Sequence, residues 1–235
     1  MSRRPVSFPG VGPGGTECTV AGLLDVPTSP RGVILMAHCF GCTKNAPHLH
    51  RLATELARLG YAVLRFDFYG VGETRGDFSW GSFDLDVANV AAAGEYLRGL
   101  GLTETARIGH SLGGLAVLAG ATVPVVTIGT PSQPGHVLGL VHEGANVIGG
   151  KELAIGGAMV SSLRSADVAD PGVPVLSIHS EDDEVVPFTQ AHALRGRLAR
   201  VDAVDLTGVD HMMTDRAVPK TLAGTIATWL GKTYE

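Results

Sequence analysis

The residues Arg107-Ile108-Gly109-His110-Ser111-Leu112-Gly113-Gly114 follow an apolar run and lead into small residues, Leu115 to Ala121. Gly-x-Ser-x-Gly between a strand and a helix places a serine hydroxyl on a strained tight turn above a sheet edge. Gly109 and Gly113 flank that turn, where a Cβ would collide with the neighbouring strand or helix. A serine hydroxyl is a poor nucleophile near neutral pH unless a base lies within hydrogen-bond reach. The candidate base is His211, in Gly208-Val209-Asp210-His211. It would take the Ser111 proton and return it to a leaving group. Several carboxylates compete to orient it, namely Glu181, Asp182, Asp183, Glu184 and Asp210. Asp183 is the first choice and Asp182 its rival.

A tetrahedral intermediate needs two backbone N–H donors. The amide of Leu112, directly after Ser111, is expected to be one. The other is expected from the loop after Val33-Ile34-Leu35-Met36-Ala37, at Phe40, with His38 bracing that loop. Cys39, Phe68, Tyr69, His110 and Met212 are candidate substrate-pocket residues. His48 and His50 are wrongly spaced to share one helix face and read as surface residues. No metal cluster and no cofactor are expected.

These groups must be carried by elements that bring them to one edge. Val33 to Ala37 is a short continuous apolar run, as in a strand buried on both faces of a parallel sheet. Further strands are expected at Thr16 to Leu24, Tyr61 to Phe66, Thr105 to Gly109, Val123 to Ile128, Val173 to His179 and Ala203 to Leu206. Helices are expected over 46–59, closed by Gly60, over Ser82 to Arg98, and over Pro219 to Leu230. Asp84 and Asp86 fall in the first turn of the second, where the helix dipole favours negative charge. Strands alternating with helices give an α/β domain with a mostly parallel sheet covered on both faces. Ser111, Asp183 and His211 then lie in loops at strand carboxyl ends, where open α/β sheets place their sites.

Residues 1–16, rich in Pro and Gly, read as a tail or first turn, and the whole of 1–235 as one domain. Residues 130–172 break the alternation. Ala145 to Ile148 and Lys151 to Ile155, joined by Gly149-Gly150, suit a tight hairpin. A small cap-like hairpin-plus-helix insertion over the sheet's carboxyl edge is expected there.

Composition narrows the setting. A hydrophobic fraction of 45% with 17% charged residues indicates a globular protein with a sizeable core, and a net charge of −5 argues against nucleic acid or anionic membrane as main partner. No run reaches the roughly 18 apolar residues of a membrane span. Pro5 to Gly15 lacks the apolar core of an export signal despite Arg3 and Arg4. Three cysteines, an odd number, do not form a disulfide framework, so a reducing cytoplasm is expected. Cys39-Phe40-Gly41-Cys42 has C-x-x-C spacing, a redox signature in some contexts, but small buried cysteines that merely pack are the first expectation.

Taken together, His38-Cys39-Phe40, the turn from Asp67 to Gly72, Gly109 to Gly113, Asp183 and His211 resemble the α/β-hydrolase fold over nearly the whole chain. The three residues from Asp183 to Val186-Pro187 match the spacing in such hydrolases. His-Cys-Phe-x-Cys, Arg-Phe-Asp-Phe-x-Gly-x-Gly-Glu and Gly-His-Ser-Leu-Gly-Gly look like one bacterial subgroup, often fused to an OsmC-like thiol peroxidase module. No such module is expected within these 235 residues. The resemblance implies ester hydrolysis through an acyl-enzyme without a cofactor. The expected substrate is a small acyl ester. Thioester or amide cleavage and acyl transfer use the same groups, and a non-catalytic redox-accessory role for Cys39 and Cys42 is the reading from another class. A homodimer and a functional link to an OsmC-like peroxidase are the partners left open.

Overall fold

The computed structural model describes residues 2–234. Its main sheet has eight strands: β1 (Ser2–Val11), β2 (Glu17–Val26), β3 (Gly32–Ala37), β4 (Tyr61–Phe66), β5 (Ala106–His110), β6 (Val125–Ile128), β9 (Val175–Ser180) and β10 (Val201–Leu206). A separate hairpin pairs β7 (Gly144–Ile148) with β8 (Lys151–Ile155). Spatial order in the main sheet is β1-β2-β4-β3-β5-β6-β9-β10. The β1–β2 and β2–β4 pairs are antiparallel and the remaining pairs are parallel.

The apolar runs explain the layering. Along β3, Val33, Leu35 and Ala37 face one core while Ile34 and Met36 face the other. The first core takes in α2 (Phe83–Gly99) and α3 (Leu112–Leu118); the second takes in α1 (Pro47–Arg58) and α6 (Ala217–Thr233). Both faces of the sheet are therefore covered, as period-two burial on two sides requires. At the start of α2, the Ser82 side chain accepts the Leu85 N–H, an N-cap bond.

Two readings of the sequence are corrected here. Residues 2–11 form a strand, not a tail. β1 is an edge strand, and an edge tolerates Pro5 and Pro9 because one side of its backbone needs no partner. Its Phe8 is buried and stacks on Tyr96 of α2. The sequence reading also lacked α5 (Phe188–Arg195), a short helix directly after the Val186-Pro187 turn. The hairpin has the expected boundaries within one residue, with Gly149 and Gly150 at φ 56° and 76° as a two-residue turn of positive φ requires. It is followed by α4 (Gly157–Ser165).

β3 lies between β4 and β5, so the chain winds one way from β3 and then the other. The carboxyl ends of β3 and β5 flank that switch point, where an open α/β sheet leaves a crevice. His38 and Ser111 stand at those two ends.

Candidate active site

Ser111 sits between β5 and α3 at φ 55° and ψ −129°, a left-handed conformation rare for a residue with a side chain. Close packing of the turn holds it there. A Cβ on Gly109 would come within 2.3 Å of the Gly113 carbonyl oxygen, and one on Gly113 within 2.2 Å of the His38 carbonyl oxygen. Only glycine allows β5, α3 and the loop after β3 to meet so closely.

The structure brings Asp183 and His211 together. Asp183 follows β9, His211 follows β10, and His211 Nδ1 lies 2.8 Å from Asp183 Oδ2 with both side chains buried. With Nδ1 committed to the carboxylate, Nε2 is the nitrogen left to face a nucleophile. The backbone N–H groups of Val185 and Val186 donate to Asp183 Oδ1 at 3.0 and 2.7 Å, so both carboxylate oxygens are fixed. Burial alone would raise the Asp183 carboxyl. The bonds from His211, Val186 and Val185 outweigh it and hold its pKa below the ordinary carboxylate value. Three of the remaining acids go elsewhere. Asp182 accepts the Gly208 N–H at 2.6 Å, Glu184 accepts the backbone N–H of His211 at 3.1 Å, and Asp210 accepts the Thr214 N–H at 2.8 Å. Among the described residues the Ser111 hydroxyl makes no hydrogen bond, a looseness common before substrate tightens a site.

Phe40 and Leu112 line one cavity of about 10 Å³, with Gly41, Phe68, Phe78 and Asp86 among its other walls. Leu112 opens α3, where no preceding turn supplies an acceptor for its N–H. The Phe40 N–H likewise finds no backbone acceptor among the described residues. Two residues whose N–H groups lack a backbone acceptor thus line one small cavity beside the serine turn. The loop that carries Phe40 is firmly braced. His38 Nδ1–H donates to the Cys39 carbonyl at 2.8 Å, and its Nε2 accepts the Phe68 N–H at 3.1 Å. Lys44 donates its backbone N–H to Asp67 Oδ1 at 2.6 Å and its ammonium to Asp67 Oδ2 and Glu73. Arg65 donates to the Lys44 carbonyl. The hairpin presses on the same loop, since a Cβ on Gly41 would meet Ile148 at 2.9 Å and Leu153 at 3.0 Å.

Several expectations are changed by this geometry. Cys39 and Cys42 are bonded to each other, Cα to Cα 5.3 Å apart, so they do not merely pack as thiols. Cys18 is the free cysteine among the described residues. His48 is buried, because α1 turns that residue inward against β5. Its ring lies 3.2 Å from His110 Nδ1, and His110 Nε2 lies 2.9 Å from the His211 carbonyl. His110 must therefore donate through Nε2 and accept through Nδ1, which makes His48 Nε2 the donor between them. Burial lowers the pKa of both, that of His48 to about 4. His110 is thus not a pocket wall. It stands behind the site and holds the main chain of His211.

Of the other expected pocket residues, Cys39 and Phe68 line the cavity beside Phe40. Tyr69 is turned toward Gly76 and a groove bordered by Ser7 and Glu17. Met212 lines neither. Cys39, His48 and His110 hold donor atoms within 4.8 Å of one another, the spacing of a metal site, but the disulfide engages the Cys39 sulfur. His179 also escaped the sequence reading. Its Nε2 donates to the Val186 carbonyl at 2.8 Å and steadies the turn that fixes Asp183. No sequence pattern marks it beyond its place at a strand's carboxyl end.

Comparison with known proteins gives the family and the fold. Residues 28–150 match the family model described as serine aminopeptidase, S33. The esterase domain of a Rhodothermus marinus protein is 30% identical, with 97% of this chain and 98% of that one covered and a TM-score of 0.78. Est1E from Butyrivibrio proteoclasticus, solved with ferulic acid, superposes with a TM-score of 0.80 at 21% identity over 92% and 96% of the two chains. XC6422 from Xanthomonas campestris, described as an a/b serine hydrolase without lid, gives 0.67 at 19% identity over 97% and 94%. No curated protein matches. The chain belongs to the S33-type serine hydrolase family of the α/β-hydrolase fold.

Proposed function

We propose that the protein is a serine esterase that cleaves small acyl esters through an acyl-enzyme. The observation that carries this reading is the buried His211–Asp183 hydrogen bond of 2.8 Å at the sheet edge that bears Ser111. Ser111 Oγ attacks the ester carbonyl carbon while His211 Nε2 takes the hydroxyl proton. Asp183 keeps the imidazole in the required tautomer and stabilises the imidazolium. The carbonyl oxygen becomes an oxyanion against the Phe40 and Leu112 amides; one such donor is typically worth about 10²–10³ in kcat. His211 returns the proton to the departing alcohol. A water, deprotonated by the same imidazole, then frees the acid and restores Ser111.

The esterase domain from Rhodothermus marinus supports the ester as substrate, and the narrow cavity supports a small acyl group. A fluorophosphonate probe should label Ser111, and Ser111→Ala should abolish both labelling and hydrolysis of p-nitrophenyl acetate. Hydrolysis that persists in Ser111→Ala would sink the reading. Absence of labelling in the folded wild type would favour a redox-accessory role for the Cys39–Cys42 pair instead.

A further inference from the structure

Four aspartates are buried: Asp25, Asp67, Asp86 and Asp183. Three of them are fully engaged. Asp25 pairs with Arg3 and Arg65, Asp67 with Lys44, and Asp183 with His211. Asp86 differs. It is 9% exposed, and among the described residues no hydrogen bond or ion pair reaches its carboxyl. A buried carboxyl without a partner is costly, so folds retain one rarely and at functional positions. Burial raises its pKa well above the ordinary carboxylate value.

Asp86 lines the same cavity as Phe40 and Leu112. Phe68, Val71 and Phe78 add apolar walls, and of the polar side chains there His38 has both ring nitrogens engaged and Cys39 is disulfide-bonded, which leaves Asp86 as the unengaged polar group in the lining. Leu112 and Gly113, the two residues after Ser111, also line the cavity, which places it beside the serine turn where the end of a bound acyl group can enter. About 10 Å³ is room for roughly one water-sized group. That is the size of the terminal hydroxyl of a short acyl group, and a long hydrocarbon chain does not fit.

We propose that Asp86 is the specificity-determining residue of the acyl pocket and selects short 2-hydroxyacyl esters by hydrogen bonding to the acyl hydroxyl. This rests on the esterase reading of the Ser111 site. A site built to bond a hydroxyl discriminates strongly against the isostere lacking it, because the buried polar group is then left unpaired.

The test compares kcat/KM for phenyl glycolate and phenyl propionate, whose acyl groups differ by a hydroxyl in place of a methyl. The intrinsic reactivity difference cancels when wild type, Asp86→Leu and Asp86→Asn are compared. The glycolate-to-propionate ratio should fall at least tenfold in Asp86→Leu and less in Asp86→Asn, whose amide still accepts a hydrogen bond. If Ser111 labels normally and all three proteins give the same ratio, the Asp86 assignment is overturned and the esterase stands. If Ser111 neither labels nor turns over either ester in folded protein, both fall together.

Discussion

Asp182 and Asp183 are neighbours with the same side chain, yet their roles separate at the first hydrogen bond. Asp183 fixes the His211 ring, while Asp182 is exposed and ties down the Gly208 amide. Asp183→Asn should lower kcat by about 10³–10⁴-fold, since an amide there favours the wrong tautomer. Asp182→Asn should change kcat by less than about threefold, as expected of a surface substitution. Steady-state kinetics on one ester with both variants checks this, and comparable losses would move the acid's role away from Asp183. The candidate nucleophile, acid and base were legible because each stands in a local pattern at the end of an apolar run. The partners of His48, His110 and His179 were not. The roles of His48 and His110 come from contacts spanning 62 and 101 residues, which no local spacing encodes, and that of His179 from a turn geometry its sequence does not announce.

Among the elements, the loop from Ala37 to Ala46 is the most heavily constrained. His38 holds it from within, Asp67 and Arg65 hold it through Lys44, Ile148 and Leu153 press on Gly41, and the Cys39–Cys42 bond closes its middle. A disulfide across a separation of 3 removes little chain entropy from the unfolded state, so its effect falls on local shape rather than on global stability. Reduction by a dithiol should therefore cost esterase activity, by threefold or more, while the melting temperature moves by only a few degrees. Parallel rate and melting measurements with and without reductant decide it; unchanged turnover would show that the bond does not shape the Phe40 amide. The inner strands β3, β4 and β6 were legible for a plain reason, since burial on both faces favours apolar runs. β1 was hidden because an edge strand can be rich in proline and glycine, the composition of a tail. α5 was hidden because eight residues give too little helical period to separate from a loop.

On the scale of the whole molecule, buried neutral histidines link stability to pH. In the unfolded chain His48 titrates near 6.5, whereas burial holds it near 4 in the fold. Between those values the unfolded state binds more protons, so stability drops as pH falls through the window, by roughly 3 kcal/mol for this group. Lowered values at His38, His110 and His179 act in the same direction. Asp183, held below its ordinary value, extends the loss to lower pH. Urea unfolding at pH 7 and pH 4.5 should show the decline, and His48→Gln should lessen it; an equal decline in the variant would exclude His48 as a source. The site also draws on the ends of β3, β5, β9 and β10, so its working groups are scattered from residue 38 to residue 211. No fragment of the chain contains it, and no single supersecondary unit assembles it. Catalysis is therefore a cooperative property of the whole sheet: it should appear only when the last long-range pairing that carries a site residue forms during folding, and vanish with the first such pairing lost.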